Sequence, residues 1–469
     1  MRSRAAALLA AIAVVASSCG KPAREVSAEA RAPMLLLAVD GLEWRVMAPL
    51  LEAGRMPVVA SLMGRGTYGY LATMEPTYSA VIWTTIATGK RPAQHGIEHF
   101  IYEETIGGKK EHRYYTSGHR ETKAFWNILS DYSLDVDCLG WWITYPAEPI
   151  NGVMVSQTNT TGVLRDPQRA LWKGTLLEGV EGQVYPPERQ NEVMALLDEV
   201  DSSLDELTRE IFGEFPNPMD DFGRLMWDQT LWAFRADAVY LRTARALLDE
   251  GMPFDLMAVY VGGPDVTGHR FWRYAHPGDF YNPPAPEQIE NFGRVIDDYY
   301  AYVDRAIGEL IDAAPEGTAV VIVSDHGMHT VNPKEEFRVD NPPDERNSGN
   351  HMDAPPGVFI AAGPNILDAT PGSDTPVQHV VPDSLPRVGG VLDVLPTLLA
   401  LKGIPLAEDM SGTPLAAVID PALLARARTL PRVKTYDDRA WQGARRERIR
   451  EAVNQNERLE QLRSLGYIR

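Results

Sequence analysis

The sequence is poor in cysteine, in positive charge and in long apolar runs. Only two cysteines occur among 469 residues, so several disulfides cannot stabilise the fold, and the core and any bound metal ions must do so. Lys and Arg number 45 against 64 Asp and Glu, a formal net charge of −19. This balance argues against a nucleic-acid polymer as the main partner, because no net positive field would hold a polyanion. The apolar run near the start, 5–16, is too short to remain in a bilayer as a spanning helix.

Residues 1–19 have the composition of an export signal. Two arginines precede the apolar run, and a Ser-Ser-Cys sequence ending at Cys19 follows it. Small residues directly before a cysteine resemble the bacterial lipobox, in which the cysteine is acylated and becomes the mature N-terminus, although Ala16 stands where leucine is usual. We therefore predict an exported protein that a lipid on Cys19 anchors to a bacterial membrane, with cleavage to a soluble secreted form as the alternative. We expect Cys138, in a mostly apolar stretch, to be a buried and inert thiol.

The apolar residues are distributed as in an α/β fold. They make up 44% of the chain, enough for a substantial core, and after a polar linker at 20–33 short apolar runs alternate with longer amphipathic stretches. This pattern predicts a mostly parallel central sheet flanked by helices, in a domain over 34–430. The best strand candidates are Met34–Val39, Leu134–Gly140, Phe254–Val261, Thr318–Val323 and Val358–Ala362.

Two segments interrupt or follow this alternation. The stretch at about 160–250 has helical spacing, which indicates either a helical insertion that covers the site or ordinary crossover helices on the sheet. Residues 431–469 form a candidate helical tail, and the alternating charge signs after Arg439 are typical of a solvated helix face.

Aspartates and histidines stand beside the ends of the predicted strands. In open α/β sheets, ligands bind beyond the carboxyl ends of the strands, so chemistry is expected there. The six residues are Asp40, Asp265, His269, Asp325, His326 and His351. One such aspartate is usually a turn or helix cap, but six carboxylate and imidazole groups together suit divalent zinc. Two adjacent ions would hold both the attacking and the departing oxygen of an in-line displacement at phosphorus.

Several short motifs extend from Leu35 to about Leu415. They comprise Leu-Leu-Ala-Val-Asp-Gly, Pro-Thr-Tyr-Ser, Ala-Thr-Gly, His-Gly-Ile, Pro-Asp with Gly-His, Ser-Asp-His-Gly-Met, a later histidine, and Leu-Asp-Val-Leu-Pro-Thr-Leu-Leu. Their order and spacing resemble the alkaline phosphatase superfamily, and specifically its type I phosphodiesterase/nucleotide pyrophosphatase branch. The resemblance implies an alkaline phosphatase-like fold and a hydrolase that cleaves phosphate esters through a phosphoserine intermediate. It also implies two Zn²⁺ ions, with Mn²⁺ as another candidate.

Roles for individual residues follow from the same resemblance. It implies two ligand sets: Asp40, Asp325 and His326 for one ion, and Asp265, His269 and His351 for the other. The family's nucleophile precedes the threonine of Thr-Gly by nine residues, which is Ser79 here, and Ser79 would also contact an ion. Metal coordination is one of the few ways to ionise a hydroxyl that has no neighbouring base. Thr77 is the alternative nucleophile, and a structural turn hydroxyl is the other interpretation of Ser79.

The resemblance is less complete on the substrate side. The nucleotide pyrophosphatases have an asparagine five residues after the histidine of His-Gly-Ile, where it contacts the phosphoryl group, and this chain has Phe100. We expect Phe100, His99, Trp83 or a residue of the insertion at about 160–250 to line the substrate pocket instead. Small-molecule and lipid phosphate esters are therefore better supported than nucleotides, and monoester, diester and phosphonate chemistry all stay open.

Three other functions fit parts of the sequence. A sulfatase would share the fold and the ligands, but the segment from Ser79 does not match the Cys/Ser-x-Pro-x-Arg signal from which formylglycine is made. A non-catalytic binding lipoprotein would be expected to have lost ligands, and all six are present. A transferase that passes the phosphoryl group to a lipid or glycan hydroxyl suits a membrane anchor, and the sequence does not separate it from a hydrolase.

Overall fold

The computed structural model describes residues 26, 31–157, 176, 180–228, 230–331, 347–353, 355–368 and 375–450. The predicted export signal, Cys19 and most of the linker lie outside the described residues. So do 158–175 within the predicted insertion and 451–469 of the predicted tail.

Strands form at the predicted apolar runs and at several further places. In chain order they are β1 (Met34–Val39), β2 (Gly66–Ala72), β3 (Ile101–Ile106), β4 (Lys109–Tyr114), β5 (Val136–Leu139), β6 (Met154–Val155), β7 (Val184–Tyr185), β8 (Leu256–Val261), β9 (Ala319–Val323), β10 (His329–Thr330), β11 (Gly349–Asn350), β12 (Gly357–Ala362) and β13 (Arg387–Gly390). All five predicted strands are confirmed, with ends that move by at most two residues. The strands β3 and β4 form a separate antiparallel hairpin, and β10 pairs with β11.

The main sheet has nine strands in the order β13-β2-β12-β9-β1-β8-β5-β6-β7. Strands β12 and β7 run antiparallel to the other seven, so the predicted mostly parallel sheet is confirmed. The strands β9, β1 and β8 are adjacent and parallel, and their carboxyl ends therefore meet at one edge of the sheet. These three strands are buried on both faces, which is why their sequences are continuous apolar runs.

Helices cover both faces of the sheet. They are α1 (Trp44–Glu52), α2 (Pro57–Gly64), α3 (Ser79–Thr88), α4 (Pro92–His95), α5 (Phe125–Asp131), α6 (Gln190–Phe212), α7 (Asp221–Asp228), α8 (Leu231–Asp249), α9 (Gly263–Ala275), α10 (Pro286–Phe292), α11 (Val295–Ala313), α12 (Val394–Leu401) and α13 (Pro421–Thr429). Alternate residues of β1 belong to two separate cores: Leu35 and Leu37 contact the side of α1, α2, α8 and α11, whereas Leu36 contacts the side of α3, α5 and α12. The fold is thus a three-layer α/β architecture.

The segment at 190–249 is helical, as its spacing predicted. Helix α8 packs directly on β8 and α11, and α6 packs on α8. Helix α8 therefore covers the sheet face, and the extent of the predicted insertion stays a prediction. In the described part of the chain, no single helix is long and apolar enough to span a membrane, although the bent pair α1 and α2, at 96° to each other, meets that criterion when taken together.

The C-terminal helix at 439–450 exposes most of its residues to solvent, as predicted, and buries a narrow opposite face against the domain. Residues 439–450 are helical, and both Trp441 and Arg448 are buried against the domain. The Arg448 guanidinium lies 3.5 Å from the carboxylate of Glu148, and it also stacks over the Trp441 ring at 4.6 Å. The alternating charges of this helix thus include a buried ion pair.

Candidate metal centre

The six predicted ligands come together at the carboxyl edge of the sheet. Asp40 directly follows β1, Asp265 lies in the first turn of α9 after β8, and Asp325 and His326 follow β9. The remaining two, His269 and His351, come from the second turn of α9 and from the residue after β11. The adjacency of β9, β1 and β8 explains how residues so distant in sequence meet.

The β1 turn approaches the start of α9 very closely. Gly41 has a φ of +68°, and a Cβ atom at this position would lie 2.8 Å from the Cα of Asp265. Only glycine combines that backbone conformation with that approach. The Asp-Gly pair after β1 therefore has a physical reason, because it allows Asp40 and Asp265 to reach the same space.

The ligand atoms form one continuous cluster rather than two separate groups. The Nε2 atom of His326 lies 3.4 Å from Oδ1 of Asp40 and 3.2 Å from Oδ2 of Asp325, and these three residues form a compact set as predicted. The second compact set consists of Asp265, His326 and His351, so His326 stands between the two.

His269 is adjacent to the second set. Its Nε2 atom lies 3.4 Å from Oδ1 of Asp265, and its ring centroid is 4.8 Å from that of His351. The family resemblance assigns His269 rather than His326 to the second ion.

Four buried polar atoms of the cluster have no hydrogen-bond partner among the described residues: Oδ1 of Asp40, Oδ1 of Asp265, Oδ2 of Asp325 and Nε2 of His326. Buried polar atoms are nearly always satisfied, and a cation bound among these four atoms would satisfy them together. Carboxylate oxygen and imidazole nitrogen are the donors that bind zinc and similar divalent ions. The residues present therefore fit a divalent metal centre.

The three histidines are held with their Nε2 atoms available. The Nδ1 atom of His269 lies 2.9 Å from the carbonyl oxygen of Gly349, and that of His326 lies 3.0 Å from the carbonyl oxygen of Gly327. An Nδ1–H that donates to a carbonyl leaves the lone pair on Nε2, which is the usual arrangement of a metal ligand. Burial lowers the pKa of His269 to about 4 and lowers that of His326, so both rings are neutral near pH 7.

The carboxylates crowd one another. Burial, followed by the charge of Asp40, raises the pKa of Asp265 and of Asp325. Several carboxylates in one buried space are unfavourable unless a cation offsets their charge. The electrostatics of the site thus agree with its hydrogen bonding in favouring a divalent cation.

Thr77 holds His351 in place. Its hydroxyl donates to the carbonyl oxygen of His351 at 2.6 Å and lies 3.2 Å from the Nδ1 of the same residue, which donates in return. Thr77 is fully buried. The structure therefore gives this hydroxyl a positioning role, which argues against Thr77 as the alternative nucleophile.

Trp83 holds Asp40 and lies outside the described wall of the cavity. Its Nε1–H donates to Oδ2 of Asp40 at 2.9 Å, and the Tyr260 hydroxyl donates to the same oxygen at 2.6 Å. Trp83 is fully buried and is absent from the described wall of the cavity beside the cluster. Its predicted place in the substrate pocket is thus corrected, because its indole N–H is committed to a ligand carboxylate.

Ser79 lies where the sequence predicted a nucleophile. It is the first residue of α3, and it lines the same cavity as Asp40, Asp265 and His351. The N-terminal end of a helix carries a partial positive charge and unpaired N–H groups, which favour an anion. The position suits attack on a phosphoryl group, and the role of Ser79 as nucleophile stays a prediction.

The cavity has a volume of about 300 Å³ and a largely aromatic wall. Its aromatic residues are Tyr78, Phe100, Trp142, Trp232, Tyr240 and Tyr260. Phe100 thus lies in the pocket, as predicted. His99 is absent from the described wall, and its ring packs against Tyr78 with 4.5 Å between centroids.

Several wall residues had no signal in the sequence. The amides of Gln157 and Asn350 face the cavity from the ends of β6 and β11, and these strands are only two residues long. Tyr260 lies inside the predicted strand β8, where an aromatic residue is expected in any buried strand. The Tyr260 hydroxyl reaches Asp40, which is 220 residues away in the sequence.

Comparison with known proteins gives one family and several similar folds. The family model for type I phosphodiesterase/nucleotide pyrophosphatase matches residues 34–422. No curated protein matches the chain. Similar solved structures include phosphonoacetate hydrolase from Sinorhizobium meliloti 1021, with 18% identity over 64% of this chain and 57% of that chain and a TM-score of 0.36. The wild-type alkaline phosphatase PafA has 13% identity over 83% and 99% with a TM-score of 0.49, and human ectonucleotide pyrophosphatase/phosphodiesterase 5 has 14% over 81% and 97% with a TM-score of 0.45. The chain spans little more than half the length of the phosphonoacetate hydrolase.

Proposed function

The chain belongs to the type I phosphodiesterase/nucleotide pyrophosphatase family of phosphoric ester hydrolases, in the alkaline phosphatase superfamily, and on this premise we propose that it cleaves phosphate esters at a two-metal centre with Ser79 as the nucleophile. The observation that carries this proposal is a group of four buried atoms that could bind a metal and have no hydrogen-bond partner among the described residues. They belong to Asp40, Asp265, Asp325 and His326, beside the cavity that Ser79 lines. A divalent cation held among these residues would satisfy all four atoms at once.

Each part of the site has a distinct task. Asp40, Asp325 and His326 would hold one ion, and Asp265, His269 and His351 the other. When bound, two divalent ions supply Lewis acidity, which offsets charge on phosphoryl oxygens and lowers the pKa of a neighbouring hydroxyl. Zinc suits the donor set, and manganese is the second candidate.

The proposed reaction on the chain has two displacements. The Ser79 oxygen forms a bond to phosphorus while the ester oxygen departs with the bonding electron pair, and the serine proton passes to water. A water molecule then attacks the phosphoserine, releases phosphate or a monoester and restores the Ser79 hydroxyl. The aromatic wall excludes water from the ester substituent and favours small-molecule or lipid esters that carry apolar groups.

Metal analysis combined with substrate comparison tests the proposal. We expect the purified protein to contain close to two zinc equivalents and to turn over p-nitrophenyl phosphate or bis-p-nitrophenyl phosphate much faster than p-nitrophenyl sulfate. Chelation should abolish turnover, and added zinc should restore it. A fully active, metal-free preparation would overturn the two-metal centre. An added alcohol acceptor distinguishes hydrolysis from transfer, because a transferase would yield the new phosphate ester.

A further inference from the structure

A buried aspartate outside the ligand set joins three helices at the cavity. Asp237 lies on α8, is only 1% exposed and forms part of the cavity wall. Its Oδ1 accepts from the N–H of Gly262 and its Oδ2 from the N–H of Gly263, both at 2.8 Å. The hydroxyl of Tyr299 on α11 donates to Oδ2 at 2.7 Å. Three donors thus converge on one carboxylate.

The two backbone donors belong to the start of α9, the helix that carries two of the six ligands. Asp265 lies in the first turn of α9 and His269 one turn later on the same face, which brings Oδ1 and Nε2 to 3.4 Å. The residue before the helix is a glycine, so α9 has no side-chain cap of its own. The carboxylate from α8 supplies that cap.

The start of α9 is also fixed by close packing. A Cβ atom at Gly263 would lie 2.1 Å from the Tyr299 ring, so the helix backbone touches the ring that holds Asp237. The carboxylate and the ring together leave the first turn of α9 little freedom. Asp265 is in that turn, and a small rotation there would move its Oδ1 away from the other ligands.

We propose that Asp237 is a positioning residue for the second metal ion: it fixes the first turn of α9 so that Asp265 and His269 face the same ion. The inference rests on the proposed two-metal function. Asp237 lines the cavity, and both of its oxygens accept hydrogen bonds from the α9 start and from Tyr299.

The chain contains a matched control for this capping of one helix by an aspartate from another. Asp304 on α11 is fully buried and caps the start of α2, where its oxygens accept from the N–H groups of Val58 at 3.1 Å and Val59 at 2.8 Å. Helix α2 carries none of the six ligands. Asp304 therefore reproduces the burial and the backbone capping of Asp237 at a helix that carries no ligand.

The test compares Asp237→Asn with Asp304→Asn in the full chain. The asparagine amide presents an NH₂ group to one of the two backbone donors, so each variant loses part of its cap. For Asp237→Asn we expect the second zinc ion to bind about 10-fold to 100-fold more weakly in competition with a chelator, while the first ion binds as before. Turnover should recover as free zinc is raised, with the KM for substrate unchanged. Both variants should lower the melting temperature by a similar amount. Asp304→Asn, however, should leave both zinc affinities at wild-type values.

Unchanged affinity for both ions in folded Asp237→Asn would overturn the inference while leaving the proposed function intact. A wild-type protein that is fully active without any bound metal would overturn the proposed function itself, so the two failures are distinguishable. If Asp237→Asn does not fold, Tyr299→Phe is the test, because it removes one donor to Asp237 and keeps the ring. We expect this variant to lower the affinity for the second zinc ion by about threefold to 10-fold, and an unchanged affinity would again reject the role of Asp237.

Discussion

At the scale of single residues, two hydroxyls two positions apart have different surroundings. Ser79 lines the cavity at the start of α3, whereas the Thr77 hydroxyl is hydrogen-bonded to His351. We expect Ser79→Ala to lower turnover by about three orders of magnitude or more with both ions still bound, since it removes the attacking group and its oriented approach. Excess zinc should not restore this loss.

The Thr77→Ala variant is the matched comparison. It removes the contact that orients His351, so we expect weaker zinc binding and a modest loss of turnover that excess zinc reverses. The measurement is turnover at equal metal occupancy, with zinc content determined on the same samples. Near-normal rates for Ser79→Ala together with an inactive Thr77→Ala would reverse the two assignments. If both variants are active, the phosphoserine intermediate must be abandoned.

The sequence predicted the ligand residues better than the residues that orient them. Asp40 and Asp325 could be recognised because each directly follows an apolar run, and position after a parallel strand is a local feature. Trp83 was assigned to the substrate, because the sequence does not show that its indole reaches Asp40, 43 residues away. The same applies to Asp237, whose partners at the start of α9 follow it by 25 and 26 residues. Hydrogen bonds between distant segments depend on packing and have no periodic signal.

At the scale of elements, the C-terminal helix is tied to the domain by a buried charge network. Glu148 is fully buried and accepts from the Arg120 guanidinium at 2.8 Å, with Arg448 of the helix at 3.5 Å. Burial alone would raise the pKa of Glu148, but the charges of Arg120 and Arg448 lower it below the ordinary value of 4.5. The ionised carboxylate therefore holds the helix at 439–450 against the domain.

We expect Glu148→Gln to destabilise the protein by about 3 kcal/mol near pH 7, because it leaves buried arginines without their carboxylate. A lowered folded-state pKa gives stability that is present above pH 4.5 and lost as the pH falls through the folded value. The variant should lack this acid-dependent loss. Urea unfolding at pH 7 and below pH 4.5 measures both effects. The exposed pair of Glu192 with Arg189 provides a control, and Glu192→Gln should change stability by less than about 0.5 kcal/mol. A Glu148→Gln variant as stable as the control would contradict the role of the network.

The sequence predicted the strands that are buried on both faces of the sheet, and it missed strands without a continuous apolar run. The strands β1, β8 and β9 are buried on both faces and appear as continuous apolar runs. The strand β2 contains two glycines, and the hairpin of β3 and β4 is mostly charged, so neither has the apolar pattern of a buried strand. The charge pattern of the helix at 439–450 predicts its solvated face, but it does not show that Arg448 has a buried partner on the opposite face.

At the scale of the whole molecule, the sheet order explains why the site exists. Ligands from Asp40 to His351 meet because β9, β1 and β8 are adjacent and parallel, although they are far apart in sequence. Periodicity predicts the strands but not their order in the sheet, which only the structure gives. The net charge of −19 is consistent with a metal site, because a site that holds two divalent ions needs acidic ligands and does not need a basic surface.

The attachment of the whole molecule to a membrane is our last prediction. The basic start, the apolar run and the Ser-Ser-Cys sequence lead us to propose that Cys19 is acylated after export, although this segment lies outside the described residues. We expect Cys19→Ala to move the protein from the membrane fraction to a soluble or uncleaved form. Cys138→Ala is the matched control, because Cys138 is the other cysteine of the chain and is fully buried, with a pKa that burial raises well above its ordinary value. That variant should stay in the membrane fraction. If Cys19→Ala fractionates as the wild-type protein does, the lipid anchor is rejected, and an uncleaved apolar run or a partner must then explain any membrane association. A wild-type protein found only in the soluble periplasmic or secreted fraction would instead support the alternative of simple cleavage.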